Sequence, residues 1–351
     1  MDPLDLIDEY GADALRFTMA AMAAQGRNIR LSKQRVEGYR NFGTKLWNAA
    51  RFCQMNGCVT PGADFDPKTL KHTVNAWIVG EAAKASAEVA EGIETYRFND
   101  AAGAAYRFIW NVFCDWYLEL IKPLLNGDDE AAKVETRATA GWVIDQTLKL
   151  LHPFMPFLTE ELWEELAPEG EKRADFLMRQ VWPDFDAAYQ NAEANAELDW
   201  VVRFVTEVRA VRGVLGVPAG AKPVLTLVSG GEADHKKVDA HLDVLLRLAR
   251  LERVDFADAP PAGTVSAVLD EATLCLDVSG LIDPKAEMAR LKKEIAKLEG
   301  EIGGIEKKLS NENFLAKAPE EVVAEQKERL VEGRSTIAKL SAARDGLAKL
   351  I

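Results

Sequence analysis

Cysteine is scarce, and its spacing excludes two classes of protein. Cys53, Cys58, Cys114 and Cys275 are the only thiols in 351 residues, too few and too scattered for a disulfide framework. No CxxC pair is present, so a tetrahedral zinc ion lacks the closely spaced ligands it needs. The expected state is four reduced thiols, buried or half-buried, in a cytoplasmic protein. Long apolar runs are missing too. None reaches the roughly 18 residues of a membrane span, and the acidic start Met1-Asp2-Pro3-Leu4-Asp5 lacks the basic-then-apolar layout of a signal peptide. The catalytic signatures GxSxG, GxxxxGK[ST], HExxH and GxGxxG do not occur. The four histidines, His72, His152, His235 and His241, are scattered, and His152 reads as a structural residue at a helix end. No catalytic residue, metal or cofactor is expected in the chain.

Positive charge is also in deficit. Lys and Arg number 43 against 56 Asp and Glu, a formal charge of −13. Spread evenly, that balance argues against a nucleic-acid partner. It is not spread evenly. Residues 27–51 carry Arg27, Arg30, Lys33, Arg35, Arg40, Lys45 and Arg51 against Glu37 alone, a net +6. Tyr39, Phe42, Trp47 and Phe52 are interleaved with them. Cations that meet phosphates, beside aromatic faces that stack unpaired bases, suit single-stranded RNA. Taken singly, the aromatics read as core. A smaller basic stripe, Arg203, Arg209 and Arg212, recurs at helical spacing.

The length suggests roughly two to three domains, and 48% hydrophobic residues can fill more than one core. Residues up to about 200 carry apolar positions at helical spacing. Two short helices flank Gly11, and longer ones are expected over 33–56, 69–95, 99–122 and 130–151. Asn99 or Asp100 is the expected N-cap of the third of these longer helices. Pro153 and Pro156 frame a corner before a short helix over 157–166. The acidic clusters Asp128-Asp129-Glu130 and Glu160-Glu161 sit at helix starts and read as helix caps. This is an antiparallel helical bundle. After about 195 the pattern becomes α+β: a helix over 196–215, a strand over 223–228, a helix over 233–250, and strands over 252–257, 264–269 and 272–278. The last two meet in a hairpin at Asp270-Glu271.

The final segment has the clearest period. Leu281, Met288, Leu291, Ile295, Leu298, Ile302, Ile305 and Leu309 trace a heptad seam, resumed by Val323, Gln326, Leu330, Ile337, Leu340, Leu347 and Ile351. The break at Ser310-Asn311-Glu312-Asn313 and Pro319 turns the two seams into an antiparallel hairpin. Gly300, Gly303, Gly304 and Gly333 weaken it by up to about 1 kcal/mol each, so a bent or loosely closed arm is expected. Residues 283–351 are nearly neutral, with 14 basic and 13 acidic side chains. Lys307, Lys308 and Lys317 lie near the tip.

Several stretches resemble a known family. Asp2-Pro3-Leu4-Asp5-Leu6-Ile7-Asp8-Glu9-Tyr10-Gly11-Ala12-Asp13-Ala14-Leu15-Arg16 resembles the segment after the catalytic domain of class I aminoacyl-tRNA synthetases of the valine/isoleucine/leucine group. Asn41-Phe42 through Lys45-Leu46-Trp47-Asn48-Ala49-Ala50-Arg51-Phe52 looks like the first long helix of their anticodon-binding domain. His152-Pro153-Phe154-Met155-Pro156-Phe157-Leu158-Thr159-Glu160-Glu161-Leu162-Trp163, with Trp182-Pro183, is the most specific match. The tail, which lacks a cysteine-rich zinc module, is similar to the C-terminal coiled coil of valyl-tRNA synthetases.

The resemblance covers essentially the whole chain. It implies a connecting helical segment over 1–40, a helical anticodon-binding domain over 41–192, a small α+β linker domain over 193–280 and a coiled-coil tRNA-binding arm over 281–351. It implies tRNA(Val) as partner, with Arg40, Lys45, Asn48, Arg51 and Phe52 at the anticodon. Arg27, Arg30, Arg35, Arg209, Arg212, Lys307, Lys308 and Lys317 are expected on the tRNA backbone. The HIGH-like and KMSKS-like signatures of the family are absent, so the expectation is an inactive fragment. Its parent, monomeric and cytoplasmic, would use ATP and magnesium to attach valine. A second reading from the residues is a helical scaffold that pairs through its hairpin.

Overall fold

The computed structural model describes residues 2–24, 29, 31–62, 64–168, 171–270, 272–311 and 320–348. Two compact units divide the chain, Met1–Asp199 and Trp200–Ile351.

The first unit is helical. Helices α1 (Pro3–Tyr10) and α2 (Ala12–Met22) are separated by Gly11, whose φ of 90° places it in the region glycine tolerates. Asp2 caps α1 by accepting the Leu4 N–H at 2.9 Å, and Pro3 occupies the first turn, where its missing N–H costs nothing. Helix α3 (Lys33–Met55) starts behind Ser32 and buries Val36, Phe42, Leu46, Ala49, Ala50 and Cys53 on one stripe. Helices α4 (Thr73–Glu94) and α5 (Phe98–Tyr106) follow. They approach closely: a Cβ on Gly92 would meet the Ala101 backbone nitrogen at 2.8 Å.

The single helix expected over 99–122 is instead a succession. After α5 comes an 11-residue π-helical segment, Arg107–Tyr117, then the short helices α6 (Leu118–Leu120) and α7 (Lys122–Asn126). The π segment buries Phe108, Ile109, Phe113 and Tyr117, and its i→i+5 bonding widens the helical turn locally. Neither Asn99 nor Asp100 is the cap of α5. Arg97 holds that position, and its guanidinium pairs with Glu91 at 2.5 Å and with Asp100 at 3.4 Å.

Helix α8 (Glu130–Leu151) begins behind Asp129, which accepts the N–H groups of Ala131 and Ala132. The corner at Pro153 leads into α9 (Pro156–Glu165). Its cap is not the Glu160-Glu161 pair. Glu160 accepts the Leu177 N–H at 2.8 Å, while the N–H groups of Phe157 and Leu158 bond to Asp13 of α2. His152 closes α8 with Nδ1 2.7 Å from Thr159 Oγ1.

Two buried polar knots fix the bundle. Tyr117 donates to Asn75 Oδ1 at 3.1 Å, and Asn75 Nδ2 donates to Glu135 and Thr136. Arg173 and Asp145 form a salt bridge at 2.9 Å with side chains only 7% and 6% exposed. The guanidinium lies 3.6 Å over the Trp163 ring, and Thr60 donates at 2.7 Å to the second carboxylate oxygen, which Arg173 also reaches at 3.4 Å. Such burial stands only because every polar atom has a partner. Cys53 and Cys58 are buried and Cys114 is half-buried, all as free thiols.

In the second unit, α10 (Ala192–Val214), which crosses the boundary, is followed by β1 (Leu225–Val228), α11 (Glu232–Ala249), β2 (Val254–Ala257), β3 (Thr264–Leu269) and β4 (Ala272–Asp277). The strand expected over 223–228 starts two residues later. The sheet order is β2-β1-β4-β3. β1 and β2 are parallel across the α11 connection, with Leu225 opposite Val254. β3 and β4 are an antiparallel hairpin in which Leu269 faces Ala272 and Asp270 takes a φ of 53°, as a two-residue loop requires.

The arm consists of α12 (Pro284–Leu309) and α13 (Glu320–Ala348). Asp283 caps α12. The seam is buried at Leu291, Ile295, Ile302 and Ile305 on α12 and at Gln326, Leu340, Ala343 and Leu347 on α13. A helix of 26 residues is about 39 Å long, and the ten residues between Leu309 and Glu320 extend at most about 35 Å. The paired helices are therefore antiparallel. Arg334 bonds to Glu306 at 2.6 Å, and Gly333 lets the arms close on Ile302, which would lie 3.0 Å from an added Cβ.

Candidate nucleic-acid interface

Helix α3 is a ridge with a cavity on each side. A helix advances about 100° per residue, so Lys45, Asn48 and Phe52 fall within an arc of about 60°. They face a groove of about 410 Å³, whose α3 wall is completed by Asn41, Thr44 and Ala49. The opposite wall comes from the π segment, α6 and α7, through Cys114, Leu118, Glu119 and Lys122. Phe52 is half-buried in this wall.

The cations in this groove are already partnered. Lys45 Nζ contacts the Asp115 carboxylate and lies 4.3 Å from the Trp110 ring centroid. Lys122 Nζ is 2.5 Å from Glu119 Oε1 and 5.7 Å from the Phe52 ring. The groove is thus close to neutral. It offers the amides of Asn41 and Asn48, the Thr44 hydroxyl, a carboxylate and an aromatic face. That inventory fits the edge and face of a base better than a phosphate. The Cys114 thiol beneath it is pushed up to about 12, chiefly by burial, so it stays protonated.

Arg40 and Arg51 are exposed about 90–110° round α3 from the groove centre. Arg40 instead lines a second cavity of about 570 Å³, with Tyr10, Asp13, Gly43, Thr44, Trp47, Met155, Phe157 and Leu158 among its walls. Its guanidinium lies 5.8 Å from the Tyr10 ring and 3.8 Å from Glu37. Burial raises the pKa of the Asp13 carboxyl at the back of this cavity, against the hydrogen bonds from Leu158 and Phe157. Arg35 is exposed on the opposite flank. The five residues expected at the anticodon are therefore split three and two.

Arg212 is a correction to the expected basic stripe. It is 7% exposed and donates to the carbonyls of Arg250, Pro218 and Ala221, which leaves it unavailable to a phosphate. Arg209 donates to the Leu248 carbonyl at 3.0 Å, and Arg203 pairs with Asp270. These arginines hold the α+β unit together. Lys307 and Lys308 are exposed in the last turn of α12. Arg27, Arg30 and Lys317 lie outside the described residues.

Sequence reading missed Asn41, Thr44, Glu119 and Lys122. Asn41, Thr44 and Asn48 sit at i, i+3 and i+7, a polar stripe that periodicity alone could have flagged. The opposite wall depends on the π segment, which no sequence period announced.

Comparison with known proteins adds two domain matches. Residues 75–228 match the anticodon-binding domain of tRNA ligase, and residues 283–350 match the valyl tRNA synthetase tRNA binding arm. The whole chain is 56% identical to a valine–tRNA ligase of Caulobacter vibrioides over 350 residues, 38% of that protein. It is 52% identical to the Brucella suis valine–tRNA ligase over 98% of this chain and 37% of that one. The corresponding figures for the Mesorhizobium japonicum valine–tRNA ligase are 50%, 98% and 37%. The chain spans little more than a third of these relatives. Among solved structures, a LeuRS–tRNA–LeuAMS ternary complex from Agrobacterium radiobacter K84 aligns over 71% of this chain and 27% of that chain. The identity there is 17% and the TM-score 0.39. No described helix is long and apolar enough to cross a membrane. The matches do not favour the scaffold reading.

Proposed function

The chain belongs with the valyl-tRNA synthetases, carrying their anticodon-binding domain and tRNA-binding arm, and on that premise we propose that it binds tRNA(Val) as part of a valine–tRNA ligase. The observation that carries the reading is the groove along α3. A half-buried aromatic, two amides and a carboxylate surround a space of about 410 Å³, with exposed arginines on the rims. Phe52 stacks an anticodon base, and Asn48 and Asn41 hydrogen-bond base edges. Glu119 accepts from an exocyclic amine such as that of cytosine or adenine. Arg51 and Arg35 meet the flanking phosphates, and Lys307 and Lys308 meet backbone at the arm.

Lys45 serves the groove by orientation as much as by charge. Its contacts with Asp115 and Trp110 fix α3 against the π segment. In the parent, binding far from the reacting ends positions the acceptor stem for chemistry. The activity with ATP and magnesium belongs to that parent, which we take to be monomeric and cytoplasmic. By itself the chain would not activate valine, because it carries neither ATP-handling signature. Titration with tRNA(Val) and a non-cognate tRNA at several salt concentrations tests the reading. Tight, salt-dependent binding that prefers tRNA(Val) supports it. Equal, weak binding of both RNAs at low salt would sink it.

A further inference from the structure

The second cavity beside α3 has the parts of a base-binding site and neighbours the first, with Thr44 of the ridge lining both. The second is larger, at about 570 Å³. Its walls include three aromatic side chains from three elements: Tyr10 of α1, Trp47 of α3 and Phe157 of α9. Phe157 is 69% exposed, although the helix that carries it is well packed. One cation, Arg40, stands at the mouth. Its nearest acid, Glu37, is 3.8 Å away on the same exposed face, a contact weak enough to exchange. The acid inside, Asp13, has both oxygens occupied, by the N–H groups of Phe157 at 3.3 Å and Leu158 at 2.6 Å. It stabilises a helix N-terminus rather than presenting a free negative charge.

We infer that this cavity is a second nucleotide subsite, taking an unpaired base of the same RNA against Phe157 and Trp47 with its phosphate on Arg40. The inference rests on the proposed tRNA reading. An RNA loop offers several unstacked bases in a row, and a ridge with a pocket on each side lets consecutive nucleotides turn outward in opposite directions. Charge favours this occupant over a protein segment. Arg40 belongs to the net +6 stretch of an otherwise acidic chain, and its side chain is half exposed at the edge of the aromatic wall.

The test uses the full chain and an anticodon stem–loop RNA carrying 2-aminopurine at one loop position at a time. The variants Phe157→Ala and Arg40→Gln alter exposed side chains, and thermal melts verify that they fold. The first groove is probed in parallel with Phe52→Ala. Phe157→Ala is expected to weaken binding about 5- to 150-fold, the range for loss of one base stack. Arg40→Gln is expected to lower the salt slope by about one. At one loop position the 2-aminopurine emission should be quenched on binding and restored by Trp47→Phe. Loss of affinity with Phe52→Ala but none with Phe157→Ala or Arg40→Gln overturns the second subsite and leaves the first reading intact. Absence of RNA binding by the unmodified chain overturns both.

Discussion

The Asp13 carboxylate of α2 accepts the Leu158 N–H of α9 at 2.6 Å, so one helix is capped by a residue 145 positions earlier in the chain. The cap ties the corner after Pro153 to the N-terminal helices. Asp13→Ala is expected to cost about 1 kcal/mol, the usual loss for a helix cap, and Asp13→Asn less, since it keeps an acceptor. Urea denaturation of the two variants measures the difference. Equal stability of Asp13→Ala and the parent chain would remove the cap from the account.

Arg212 and Arg51 should part company when each is changed to alanine. Arg212→Ala leaves three carbonyls of the α+β unit without a donor, at about 1–3 kcal/mol for a buried unsatisfied group. The midpoint of denaturation should drop, with no direct effect on RNA contacts. Arg51→Ala should leave the midpoint within about 0.5 kcal/mol and reduce the salt slope of RNA binding.

The buried pair of Arg173 and Asp145 predicts an asymmetric double-mutant cycle. Either single alanine change leaves a desolvated charge behind and should cost about 3–5 kcal/mol. Arg173→Met with Asp145→Leu removes both charges and should cost far less than the sum. Additive losses would mean that the charges do not depend on one another.

Cys114 ties stability to alkaline pH. Its folded pKa is pushed up to about 12 from an ordinary value near 9. Between those two values the unfolded chain has lost the thiol proton while the folded chain keeps it. Stability is therefore full below about pH 9 and declines as pH rises toward 12. Cys114→Ala should flatten that decline in denaturation curves measured from pH 8 to 11. At pH 8 the native thiol should also alkylate far more slowly than a free cysteine.

Gly141 marks a point where the fold leaves no room. A Cβ there would sit 1.8 Å from the Val59 carbonyl oxygen. Gly141→Ala is expected to exceed the about 1–3 kcal/mol of ordinary overpacking, read as a lost or strongly shifted melting transition.

Much of this architecture was legible in the residues. Periodicity located α3, α8 and α9 to within a residue or two, because each buries one apolar stripe and is bounded by Ser32, Asp129 or a proline. The β3–β4 hairpin was legible because Asp270-Glu271 separates two β-type runs. The heptads located the arm. What escaped has a common cause: it depends on partners distant in sequence. The cap of α9 comes from α2, the stripe from Arg203 to Arg212 serves the α+β unit, and one wall of the groove hangs on a π segment. For the site, Lys45, Asn48 and Phe52 were legible as one helical face. That Arg40 and Arg51 lie on another flank follows from the same 100° step, and the basic count alone concealed it.

The π segment has one more consequence. Its i→i+5 bonds hold one residue more per loop than an α-helix would. Removing a single residue, such as Asn111, would let the backbone settle into α register and rotate everything beyond it by about 100°. Leu118, Glu119 and Lys122 would then turn away from α3, while the aromatics before the deletion kept their places. The far wall of the groove is thus phased by one residue of chain length, and an insertion or deletion here would re-aim it without changing a single groove side chain.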